Sequence, residues 1–290
     1  MNLNPHADPE ISPELLDDGN PKPTRRLPHI GHALLFICTA VLVLFFFQAL
    51  LAMLGEMPAA VHQGAITVPH PKLQIACLAA TYLTALFASY LFFPLLWNRS
   101  FLTGIRWNFT AVRHQALRLV ALGLLLGGMM QLVTYFITPP KTLPIDEFFA
   151  STSDAWLITL FGTVVAPVFE EICFRGFLLP AFAIAYDWLS LPRTEAARMQ
   201  WETTTNLSPI SLLFSAILTS ILFAMMHFEQ VAHLWAVMLV LFCISLVLTM
   251  VRIRTHSVAA SATVHAAYNF FVFLMVLIGT GGYRHLDRMH

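Results

Sequence analysis

Charge is what this chain has least of. Only 11% of its 290 residues are Asp, Glu, Lys or Arg, against about 25% in soluble globular chains. Hydrophobic residues make up 58% and the mean hydropathy is +0.71, so there are too few polar groups to cover a water-facing surface and most of it must face lipid. Neither sign of charge is in excess, with 16 basic and 16 acidic residues. That removes the electrostatic basis for a nucleic-acid partner. Cysteine is also scarce. Cys38, Cys77, Cys173 and Cys243 lie inside apolar runs at no zinc or disulfide spacing, where a thiol behaves as a small hydrophobe. A His-Glu-x-x-His string is absent, which excludes the commonest helical zinc site.

Long apolar runs fill most of the chain. A spanning helix needs roughly 20 mostly apolar residues, and such runs occur at about 31–54, 74–97, 115–138, 155–186, 209–227, 233–252 and 257–279. The fourth is too long for one simple span and contains Pro167 and Gly176. It reads as a kinked helix or as a spanning helix joined to one on the membrane surface. The expected fold is an all-α transmembrane bundle of seven to eight helices over residues 29–283, preceded by a disordered polar tail at 1–28. The acidic residues of that tail argue against a cleaved signal peptide. If the N-terminus is cytoplasmic, Lys22, Arg25, Arg26, Arg99, Arg106, Arg113, Arg118, Arg193, Arg198, Arg252 and Arg254 all fall on the cytoplasmic side. Lys72, Lys141, Arg284 and Arg288 fall on the other, a bias that sets this orientation. A bacterial inner membrane is the expected location.

Arg175 is the one basic residue left inside the membrane, and it has acidic company. Glu170, Glu171 and Arg175 interrupt the apolar stretch from Ala166 to Pro180. Each charge at mid-membrane costs about 3 kcal/mol on insertion scales, so the sequence must offset the three of them. Glu171 and Arg175 are spaced i,i+4 with glutamate on the favourable N-terminal side, which predicts an ion pair locking the helix into the bundle. Glu170, about 100° round the helix, is left without a partner in its own segment, where a glutamate can accept and return a proton. His227 ends the fifth run. His265 and Asn269 share a face of the seventh, an imidazole and an amide able to stabilise an oxyanion. Taken singly, each histidine reads first as a satisfied interior or interfacial residue, and Asn269 as a helix–helix hydrogen bond. Their presence together on three helices is what points to a site. Gly123-Leu-Leu-Leu-Gly127 is a GxxxG packing signal.

Intramembrane peptide chemistry leaves different traces in different classes. Rhomboid-type serine sites resemble Gly-x-Ser-Gly, whereas this chain has Gly279-Thr-Gly-Gly282. Aspartyl types pair Tyr-Asp with Gly-x-Gly-Asp, and only Tyr186-Asp187 is present. What remains is Glu170-Glu171-Ile-Cys-Phe-Arg175, Phe223 to His227, and His265 to Asn269, in that order on the fourth, fifth and seventh runs. This resembles the CPBP family, the CAAX-processing and bacteriocin-processing (Abi) membrane proteases, over about residues 155–275. The resemblance implies a glutamate-dependent endopeptidase acting on membrane-associated or lipidated peptides. In it Glu170 is the general base assisted by His227, His265 and Asn269 stabilise the oxyanion, and Glu171 and Arg175 hold the site. It implies no cofactor, although Glu170, His227 and His265 could together hold zinc. Its partners would be a peptide or protein substrate and the bilayer. A transporter moving protons or cations through the Glu/His cluster is the open alternative.

One distance is awkward. On these spans His265 lies roughly 12 Å from the basic end of its helix and His227 about 27 Å along its own. The two meet only if the fifth helix starts beyond the membrane or the seventh is tilted or longer.

Overall fold

The computed structural model describes residues 26–55, 60–62, 65–67, 70–137 and 143–289. Among them are seven helical segments long and apolar enough to cross a membrane, so the protein is an integral, multi-pass all-α bundle. Their apolar faces include Leu42, Phe45, Phe46, Leu95 and Leu117, all exposed, as lipid-facing residues should be.

The first span is α1 (Ile30–Met53). His29 caps it, its Nδ1 accepting the Gly31 N–H at 3.1 Å, while His32 Nδ1 accepts the His29 N–H at 3.3 Å. A short antiparallel pair follows, β1 (Ala60–His62) and β2 (Ala65–Thr67), which no alternation in the sequence announced. Next come α2 (Pro71–Trp97), the single turn α3 (Phe101–Gly104) and α4 (Phe109–Phe136). Asn108 starts α4 by accepting the N–H groups of Thr110 and Ala111.

The fourth span runs without interruption from Thr152 to Ser190, 39 residues. It is α5 (Thr152–Leu160), a π segment (Phe161–Val165), α6 (Ala166–Glu171), a second π segment (Ile172–Leu178) and α7 (Leu179–Ser190). Prolines explain the breaks. A proline inside an α-helix has no N–H to give and its ring crowds the carbonyl four residues back. Widening the turn relieves the crowding, and the i−5 bonds from Ala166 to Phe161 and from Leu179 to Phe174 immediately precede Pro167 and Pro180. The span therefore continues through its two widened turns rather than dividing, and among the described residues seven segments are long and apolar enough to cross a membrane.

After the short amphipathic α8 (Glu195–Thr203) come α9 (Pro209–Met226), α10 (Trp235–Thr255) and α11 (Val258–Gly279). Ser208 and Pro209 start α9 as cap and first helical residue, as expected. The longest helix contact is α4 along α11. Gly123 and Gly127 make it: a Cβ at Gly123 would lie 2.4 Å from the Val264 carbonyl oxygen, and one at Gly127 2.7 Å from the Phe271 Cβ.

The described residues at the two borders of the bundle make contacts of their own. Residues 1–25 lie outside those described. Arg26, the start of the described chain, reaches the Trp201 carbonyl and the Thr204 hydroxyl and stacks on the Trp201 ring. The C-terminal residues fold back beyond 283, with Leu286 and Met289 packed beside Phe149 and Tyr283. Thr152 donates to the Tyr283 carbonyl at 2.7 Å, and the Tyr283 and Thr159 hydroxyls are 2.6 Å apart.

Candidate active site

Glu170 and Glu171 sit at the centre of the fourth span, on the one α-helical turn between the two π segments. Glu171 and Arg175 are both 0% exposed and paired, Arg175 Nη1 donating to Glu171 Oε1 at 2.7 Å. The rest of the guanidinium is also satisfied. Nη2 donates to the Ser245 carbonyl at 2.9 Å and to its hydroxyl at 2.7 Å, and Nε lies 3.4 Å from the Thr249 hydroxyl. Its flat face covers the Phe223 ring at 5.0 Å. The expected pair forms, and its further anchor is α10. Ser245 and Thr249 were missed as partners, although their i,i+4 spacing in an otherwise apolar helix was a readable stripe.

His265 joins the two carboxylates. Its Nδ1 lies 3.0 Å from Glu171 Oε1, the oxygen that also accepts from Arg175. An ionised carboxylate only accepts, so His265 donates from Nδ1, and in the neutral ring its other nitrogen is the acceptor. That nitrogen, Nε2, faces Glu170 Oε2 at 3.8 Å, longer than a direct hydrogen bond. Glu170 thus lacks a partner on its own helix and meets one across the bundle. Two tyrosines lie nearby: Tyr82 stacks on Phe169, the residue before Glu170, at 3.9 Å, and the Tyr268 ring is 6.2 Å from the His265 imidazole. The two tyrosines went unnoticed in the sequence, Tyr82 because its helix carries no motif and Tyr268 because it sits among motif residues.

His227 arrives by a route that answers the depth problem. Asp187 of α7 accepts from the Ser208 N–H at 2.9 Å, the Ser208 hydroxyl at 2.6 Å and the Ser211 hydroxyl at 3.0 Å. Ser215 donates to the Leu179 carbonyl at 2.6 Å, and the Phe174 and Phe223 rings are 5.3 Å apart. One more turn along this antiparallel ladder brings His227 level with Glu170. In contrast, α11 begins higher, where the Val258 N–H meets the Arg106 carbonyl at 3.0 Å. So α7 and α9 project together past the start of α11, which is the first of the two ways the depths could match. Asp187, set aside as a catalytic acid, is the anchor of α9.

At the site His227 Nδ1 donates to the Phe223 carbonyl at 2.9 Å. A carbonyl can only accept, so the proton is on Nδ1 and Nε2 is free. The Phe223 ring packs against both imidazoles, 4.9 Å from His227 and 5.6 Å from His265. No hydrogen bond joins His227 to either carboxylate among the described residues.

Asn269 makes the helix–helix hydrogen bond that its plainer reading allowed, to a partner the sequence did not name. Its Nδ2 donates to the Gly162 carbonyl at 2.7 Å. In the π register the N–H of Ala166 serves Phe161, so the donor due to Gly162 is residue 167, a proline without one. Asn269 fills that gap. The amide keeps a second hydrogen and its oxygen.

Among the described residues no three His, Cys, Asp or Glu side chains are arranged to hold a metal ion.

Residues 152–271 match the model of the family described as Type II CAAX prenyl endopeptidase Rce1-like. The chain carries an Rce1-like domain. It covers the fourth span through most of α11 and contains every residue of the Glu–Arg–His–Asn set. The match supports a CAAX-type intramembrane protease in general. Comparisons with curated proteins and with solved structures find no match.

Proposed function

We propose that this protein cleaves peptide bonds of membrane-associated or lipidated peptides with water activated by Glu170. One observation carries the reading. Of two adjacent buried carboxylates, one is held by Arg175 and His265 through a single oxygen, while the other faces the His265 Nε2 at 3.8 Å. Two like groups in unlike surroundings divide into a structural anion and a proton carrier.

Glu170 takes a proton from water as the water oxygen bonds to the scissile carbonyl carbon. The carbonyl oxygen becomes the oxyanion. His227, its Nε2 free, orients the water. His265 can receive the proton from Glu170 at Nε2, since the Glu171 carboxylate on Nδ1 stabilises the imidazolium. Protonated His265 and the second amide hydrogen of Asn269 then donate to the oxyanion. When the C–N bond breaks, the proton passes to the leaving amine. Proton and water are both accounted for, and no acyl-enzyme forms. The bundle lies with its arginine-rich end in the cytoplasm.

The test compares membrane peptides of cells expressing wild-type protein and Glu170→Gln. Peptides present only with wild type support the reading. Identical peptidomes overturn it, and ion flux lost in the variant with no peptide changed favours transport.

A further inference from the structure

The protein buries two arginines and treats them differently. Arg175 has a carboxylate and a full set of hydrogen bonds. Arg252, in the last turn of α10, is only 7% exposed, and its Nε is buried without a hydrogen-bond partner. The Arg106 turn lies against the chain just beyond it, the Arg106 carbonyl accepting the Val258 N–H at 3.0 Å. Among the described residues neither Arg106 nor Arg252 belongs to an ion pair. A buried charge normally has an opposite charge beside it. Here no acidic group lies within ion-pairing distance among the described residues.

The juxtaposition is built rather than incidental. Arg106 has a left-handed backbone, φ 59°, and its carbonyl accepts the Val258 N–H at 3.0 Å. Ser257 Oγ accepts the Asn108 N–H at 3.3 Å and donates to the Asn108 carbonyl at 2.8 Å. These bonds staple the turn before α4 to the turn between α10 and α11, so the backbone of Arg106 is fixed beside the end of the helix that carries Arg252. α10 has 21 residues, about the length that crosses the hydrocarbon core. Its last turn therefore sits at the level of lipid phosphates. Arginine suits a phosphate because its fork of donors matches the oxygens.

We propose that Arg106 and Arg252 form a site for a phosphate group, supplied by the headgroup of an anionic phospholipid. The phosphate completes the charge balance of Arg252 and ties the α4, α10 and α11 ends to the membrane surface. This site is separate from the peptidase centre and does not depend on that reading.

The experiment reads thermal unfolding of the full chain in nanodiscs of phosphatidylcholine, with and without phosphatidylglycerol. Wild type should gain on the order of 2–4 °C from phosphatidylglycerol, the shift one favourable interaction brings to a chain of this size. Arg252→Gln and the exposed-site variant Arg106→Gln should lose that gain. Arg254→Gln, an exposed arginine on the same turn, should keep it. Native mass spectrometry should show phosphatidylglycerol retained by wild type and not by Arg106→Gln. The proposal is overturned if both Gln variants keep the gain, or if Arg254→Gln loses it equally, since bulk surface charge would then suffice. The same gain from inorganic phosphate in phosphatidylcholine discs would overturn the lipid assignment.

Discussion

Glu170 and Glu171 are neighbours in the chain and opposites in the fold. Removing one partner of a buried ion pair costs about 3–5 kcal/mol, because the survivor is left charged in a poor solvent. Arg175→Ala should destabilise the protein by about that amount, read as the loss of unfolding temperature in detergent. Replacing both partners, Glu171→Leu with Arg175→Met, should cost less than Arg175→Ala alone. Glu170 has no such partner, so Glu170→Gln should unfold close to the wild-type temperature while peptide cleavage falls by roughly 10²–10⁴-fold, the range for a lost general base. A Glu170→Gln protein that fails to fold would contradict the division between the two. These roles were readable in the sequence because i,i+4 spacing fixes which carboxylate meets Arg175. The bond from Asn269 to the Gly162 carbonyl was not, because its partner is a main-chain atom exposed by helix register, and side-chain spacing does not encode register.

The helical elements carry the next set of consequences. Pro167 and Asn269 form a couple, one removing a donor and the other replacing it. Asn269→Ala should lower both stability and cleavage. Adding Pro167→Ala, which restores the N–H, should recover unfolding temperature and leave cleavage low. Recovery of neither would show that the amide is not there for the carbonyl. The glycines of α4 give a cleaner comparison. Gly123→Ala would drive a methyl into the Val264 carbonyl, whereas a Cβ at Gly128 meets nothing nearer than 3.9 Å. The first should destabilise by about 1–3 kcal/mol, the usual cost of overpacking, and the second should be nearly neutral by thermal unfolding. Seven apolar runs and a GxxxG signal were legible because lipid imposes length and composition on each span. The projection of α7 and α9 past the other helices was not, since hydropathy measures how long an apolar run is and says nothing about how far it slides against its neighbour.

At the scale of the whole molecule, three apolar clusters surround the polar centre. One lies around Phe36, Phe93, Trp97 and Phe177, a second between α4, α10 and α11, and a third around Phe149, Phe161 and Tyr283. Phe169, next to Glu170, belongs to the first and stacks on Tyr82 at 3.9 Å. The carboxylates therefore project from a packed wall rather than from a loop, which keeps their geometry fixed before substrate arrives. Topology follows from the arginines. Reporter fusions after Arg193 and after Lys141 should be cytoplasmic and external respectively, and the reverse result would invert the proposed orientation.

The long fourth span is fastened at both extremities, to the chain terminus through Thr152 and Thr159 and to α9 through Asp187. A rod clamped at either end cannot slide to admit a guest. Whatever accommodation catalysis asks of it must come as torsion about its two widened turns, so the acid between them pivots while the shaft stays put.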